Sequence, residues 1–127
     1  ELTFNTNHRI IDSFISTYQT DKAIIFLQQL NNEPQNNYLR YYYWMNYYRG
    51  AEHFDSLRIY VDSAINTISK LSNYQNYKAL LSDAYAKRGE AELGSLQYEQ
   101  ATNSFFSAKQ IAYERNDTCA ASRYTYR

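Results

Sequence analysis

Reactive side chains are scarce in this chain of 127 residues. His8 and His53 are its only histidines and Cys119 its only cysteine, so no metal cluster of usual ligand spacing can be drawn. His53, Asp55 and Ser56 stand close enough to suggest a nucleophile beside its base. Neighbours on one helical turn point in different directions, however, and a triad needs groups converging from separated elements. Gly89 and Gly94 have the spacing of a phosphate loop, but Ser95 and Leu96 follow where Lys and Ser/Thr are required, and no strand precedes. Asp83 and Glu90 share a helix face and could form an acid–base pair, but a solvated face is the reading that accounts for them. Asn116, Asp117 and Thr118 spell a glycosylation sequon by letters alone, without an export signal to give it meaning. No catalytic constellation survives, and the expectation is a protein that is not an enzyme and has no cofactor.

Composition narrows the remaining classes. Thirteen basic and thirteen acidic side chains give zero formal charge. Tyr stacking with Arg40, Arg49, Arg58 and Arg88 could grip a nucleic-acid strand, but the basic stripe of such proteins is missing. Apolar runs such as Ala23–Leu27 are too short to cross a bilayer. One cysteine rules out an internal disulfide and leaves the compartment, cytoplasmic or periplasmic, open. The chain starts at Glu1 without Met or a signal pattern, which reads as a processed or excised piece. Fifteen Tyr and many Asn fit A/T-rich codon usage as well as any function.

Three Gly and one Pro are too few for hairpins or barrels, which favours long helices with few breaks. From His8 to Tyr18, Ile10, Ile11, Phe14 and Ile15 share a face. Thr20 is placed to cap a run that aligns Ala23, Leu27 and Leu30. Pro34 and four Asn make residues 31–37 the clearest break. The segment from Tyr38 to Arg49, YLRYYYWMNYYR, has seven aromatic residues in twelve and stops at Gly50. Its Tyr41, Trp44, Met45 and Tyr48 recur at helical spacing, which predicts core positions for the rings. Helices are also predicted over Phe54–Ser72, Asn73–Leu93 and Tyr98–Arg115, with Asp117 or Thr118 capping a last piece.

The chain also matches itself. A shift of 44 residues lays Tyr41 on Tyr85, Gly50 on Gly94, Leu57 on Ala101, Val61 on Phe105 and Ala64 on Ala108. A shift of 34 lays Ala23, Leu27 and Leu30 on Leu57, Val61 and Ala64. Fixed-period similarity of this kind marks a helical solenoid. In it, Ala64, Gly89, Ala101 and Ala108 let backbones approach while rings fill the space beside them.

Tyr98, Ala101, Phe105 and Ala108, with Tyr85 and Gly89 upstream, form an aromatic–small–aromatic–small series that resembles the tetratricopeptide repeat family. Phe54, Leu57, Val61 and Ala64, following Tyr41, Trp44 and Tyr48, are similar to it. Met45 replaces a small residue, Arg88 an apolar one, and the inter-helix glycines come two residues early. The resemblance implies an all-α αα-superhelix: about three antiparallel helix pairs over 8–33, 37–72 and 74–115, in one domain. Residues 117–127 would open a further helix, either a cap or a cut repeat of a larger protein. With the A/T-biased composition, such a cut repeat is similar to the helical-repeat regions of bacterial sensor kinases and transcription regulators, notably of Bacteroides-like organisms.

In that family the concave face of each first helix receives peptides. The resemblance assigns this face to Tyr42, Asn46 and Arg49, and to Asp83, Lys87 and Glu90 of the next pair; a merely wetted helix face is the alternative. The paired lysines with which some members hold a C-terminal carboxylate are not matched, since Tyr42 stands where one is needed. The expected function is a non-catalytic protein- or peptide-binding scaffold or sensor in a signalling or transcription regulator. Self-association and, less favoured by charge, nucleic-acid binding are the alternatives.

Overall fold

Where the helices stop is decided by backbone turns that recur along the chain. The computed structural model describes residues 2–114. They form α1 (Leu2–Ser16), α2 (Thr20–Gln28), α3 (Pro34–Gly50), α4 (Phe54–Ile68) with a 3-10 turn at Ser69–Leu71, α5 (Tyr77–Gly94) and α6 (Tyr98–Glu114). No strand occurs among the described residues. The helix anticipated at 117–127, with Cys119, lies outside them.

Three-residue links join α1 to α2, α3 to α4 and α5 to α6. In each, one residue is left-handed: Tyr18 (φ 57°), Glu52 (φ 55°) and Leu96 (φ 63°). The next residue donates its N–H to the carbonyl five back, Gln19 to Phe14 at 3.0 Å, His53 to Tyr48 at 3.0 Å and Gln97 to Glu92 at 2.8 Å. The left-handed residue itself bonds three back, to Ile15, Arg49 and Leu93. This is the Schellman closure of a helix. Its three instances are 34 and then 44 residues apart, the two shifts that align the sequence on itself. Gly50 and Gly94 are not the left-handed residues; each is the last right-handed residue of its helix.

Several boundaries differ from expectation. α1 begins at Leu2 rather than His8. Thr20 is the first helical residue, not the cap, and Gln19 before it makes no side-chain cap bond. Pro34 opens α3 instead of standing in a break, because a first-turn residue needs no N–H donor. The predicted Phe54–Ser72 helix tightens to 3-10 geometry after Ile68, and α5 starts at Tyr77 rather than Asn73.

Helices α1, α3 and α5 run side by side in one direction. Phe4 meets Tyr38 and His8 meets Tyr42 between α1 and α3, while Tyr42 meets Lys87 and Arg49 meets Glu90 between α3 and α5. α4 returns antiparallel between α3 and α5: its Tyr60 lies against Trp44 and Tyr48, and its Arg58 and Asp62 face Glu92 and Arg88. α6 returns along α5, with Lys78 3.4 Å from Glu114 at one end and Gly89 facing the Phe105 ring near the other. Arg40 ties α3 to the end of α2, its Nη2 donating to the carbonyls of Leu27 (3.1 Å), Leu30 (2.5 Å) and Asn31 (3.3 Å). The Leu27 carbonyl also accepts from the Leu30 N–H at 3.3 Å, while Leu30 and Asn31 lie just past the helix end at Gln28, so the guanidinium closes the chain as it leaves α2.

This arrangement explains the ring-rich helix. Having neighbours on three sides, α3 has no single apolar stripe. Tyr38, Leu39, Tyr43 and Met45 are buried. Tyr41, Trp44 and Tyr48, expected as a central core, are instead half-buried around Tyr60, with Tyr48 stacked on it at 5.5 Å and 17°. Ala64, Ala101 and Ala108 are fully buried, as close backbone approach requires. Arg88 fills a usually apolar position by lying 4.8 Å over the Tyr85 ring and donating to Ser104 Oγ at 3.1 Å. Buried Glu92 accepts from Arg58 at 2.5 Å and from the Ser104 hydroxyl, so the polar seam between α4, α5 and α6 is satisfied.

Candidate functional site

The row formed by α1, α3 and α5 brings the six expected site residues into one neighbourhood. Arg49 and Glu90 form a fork, Nε to Oε2 at 2.6 Å and Nη2 to Oε1 at 3.1 Å. Lys87 pairs with Asp83 one turn earlier and sets its ammonium 5.6 Å from the centre of the Tyr42 ring. Asn46 donates from Nδ2 to the Tyr42 carbonyl at 2.9 Å.

The strip is not uniformly open. Lys87 is only 7 % exposed, and Tyr42 donates its hydroxyl to Asp12 Oδ1 at 2.5 Å. His8 Nδ1 lies 3.2 Å from the other Asp12 oxygen, with the imidazole 4.4 Å from the Tyr42 ring. Tyr42 and Lys87 are therefore joints between helices, because the side of α3 that bears Tyr42 meets α1. Asn46, Arg49 and Glu90 retain accessible surface.

Electrostatics follow from these partners. Burial, the bond to Asp12 and then the charges of Asp12 and Asp83 push the Tyr42 phenol far above its ordinary range. Tyr38 is raised for the same leading reason, burial, with Asp83, Tyr42 and Asp12 adding to it. The Glu90 hydrogen bond holds Arg49 more firmly charged against an opposing contribution from burial.

Beside the outer half of this strip lies an open groove of about 690 Å³. The end of α1 gives it Phe14 and Ile15, the first turn gives Tyr18, and the second half of α3 gives Tyr43, Asn46, Tyr47 and Arg49. Tyr18 is 91 % exposed and Tyr47 45 %, while Tyr43 is buried. Arg49 keeps Nη1 outside the Glu90 fork. Rings and hydrogen-bonding side chains line it, and two of the six expected residues, Asn46 and Arg49, are among them.

Sequence reasoning missed His8 and Asp12, whose four-residue spacing on one helix was a usable signal. It also missed Phe14, Tyr18 and Tyr47 as groove residues; Phe14 read as core, and nothing local places Tyr18 in a left-handed turn. Among the described residues, no group of three or more His, Cys, Asp or Glu could hold a metal ion. No described helix is long and apolar enough to cross a membrane. No family model, curated protein or solved structure matches this chain.

Proposed function

We propose that this chain is a non-catalytic protein- or peptide-binding module of tetratricopeptide-like architecture, serving as scaffold or sensor in a bacterial signalling or transcription regulator. The observation that carries the binding role is the groove beside α3, where exposed rings and unspent donors share one concavity. Parallel α1, α3 and α5 with returning α4 and α6 support the architecture. The test is titration of short peptides followed by backbone amide shifts. Binding should move the amides of residues 14–20 and 43–51, and Tyr47→Ala with Asn46→Ala should weaken it at least tenfold without changing the melting temperature by more than a few degrees. Affinity unchanged in that double variant removes the groove from the proposal.

Self-association is the second reading, favoured by the outer face of α6. Tyr98, Phe106 and Tyr113 are about half exposed there, beside exposed Leu96. A shift of 44 residues places Tyr98, Thr102 and Phe106 on Phe54, Arg58 and Asp62, the face of α4 that α5 covers. Sedimentation at rising concentration should then show a dimer that Phe106→Lys abolishes; a monomer throughout rejects this reading.

A further inference from the structure

Resting on the peptide-binding reading, we infer that the groove between the α1–α2 turn and the second half of α3 takes a short, uncharged, proline-rich segment in the polyproline II conformation. The first argument is charge. Among the lining residues Arg49 alone is charged, and Glu90 already forks its Nε and Nη2. The site as it stands is neutral, so an acidic ligand would have to displace Glu90 and a basic one would find no counter-ion.

The second argument is hydrogen-bond polarity. A proline-rich strand has few backbone N–H groups and presents carbonyls outward. The groove offers the matching donors: the hydroxyls of Tyr18 and Tyr47, the Asn46 N–H that is not bonded to the Tyr42 carbonyl, and Arg49 Nη1. The exposed rings of Tyr18 and Tyr47 offer flat faces on which pyrrolidine rings can lie, the same physical mode by which aromatic grooves take such strands.

The third argument is length. From Tyr43 to Ala51 the helix rises roughly 12 Å at about 1.5 Å per residue. That span holds about four residues of polyproline II at about 3.1 Å each. A preformed strand also loses little conformational freedom on docking, which suits a shallow groove with few contacts.

The experiment compares three end-blocked peptides of equal length against the whole chain: decaproline, a Gly/Glu peptide and an Ala-rich helical peptide. Decaproline should bind with amide shifts confined to residues 14–20 and 43–51, and Tyr47→Ala should weaken it at least tenfold. Glu90→Gln should raise affinity for the Gly/Glu peptide severalfold, because the Arg49 charge is then uncompensated. If the acidic or helical peptide binds this groove in the unaltered protein and decaproline does not, the inference falls and the peptide-binding reading stands. If none of the three moves these amides, the inference falls, and the broader reading passes to its own titration.

Discussion

The ring of Phe54, first residue of α4, lies across Gly94, last residue of α5, so closely that a Cβ at Gly94 would stand 2.5 Å from it. Gly50 occupies the matching place at the end of α3, and nothing would lie within 4 Å of its Cβ. Two glycines at corresponding positions therefore respond oppositely to one methyl group. Gly94→Ala should destabilise by about 1–3 kcal/mol through overpacking. Gly50→Ala should stabilise by roughly 0.5–1 kcal/mol, the helical advantage of Ala over Gly. Urea denaturation of both variants checks the sign of each.

The left-handed turns make a second pair of predictions. Glu52 and Leu96 are exposed and take a conformation that disfavours an L side chain by about 1–2 kcal/mol. Glycine removes that strain but forfeits roughly 0.5–1 kcal/mol of chain freedom. Glu52→Gly and Leu96→Gly should each raise stability by about 0.5–1 kcal/mol, and should add when combined because the sites share no partner. A loss of stability in either variant would show that its side chain is held by contacts.

Arg40 closes the open end of α2 through three carbonyls and also donates from Nη1 to Asn37 Oδ1 at 2.8 Å. Arg40→Ala should lower stability by about 1.5–3 kcal/mol, the usual range for hydrogen bonds to a charged group. Arg40→Lys should recover less than half, since a single ammonium cannot spread over carbonyls from three residues and a side-chain amide. Calorimetric melting of the two variants separates them; equal melting temperatures for Lys and Arg would refute the capping role.

Alkaline pH should loosen the row of parallel helices. The Tyr38 and Tyr42 phenols are both raised in the folded state, chiefly by burial. An unfolded phenol titrates near about 10. Stability from these groups is therefore complete below that value and lost as pH climbs above it. The urea midpoint should fall above pH of about 10, and Tyr38→Phe/Tyr42→Phe should flatten that fall while lowering stability near neutrality. An identical alkaline slope in the double variant counts against the assignment.

How much of this was legible in the sequence depends on how local each cause is. The shifts of 34 and 44 were visible because Ala23, Leu57 and Ala101 occupy one position: each donates its N–H to the residue just before its helix. Ala64, Ala101 and Ala108 likewise declared their burial through size. Pro34 was ambiguous, since the residue that breaks one helix is also well suited to start another. The pairing of Tyr42 with Asp12 crosses thirty residues and that of Arg49 with Glu90 crosses forty-one, so neither has a local signature. Sequence put six residues on one face; only their distances divide them into helix-to-helix joints and groove lining.

The turns at Tyr18, Glu52 and Leu96 are closed by main-chain atoms alone. A joint made of peptide groups fixes the angle of the rod whatever letter it carries. One can therefore carry a ring, another a carboxylate and a third an alkyl group without redrawing the frame.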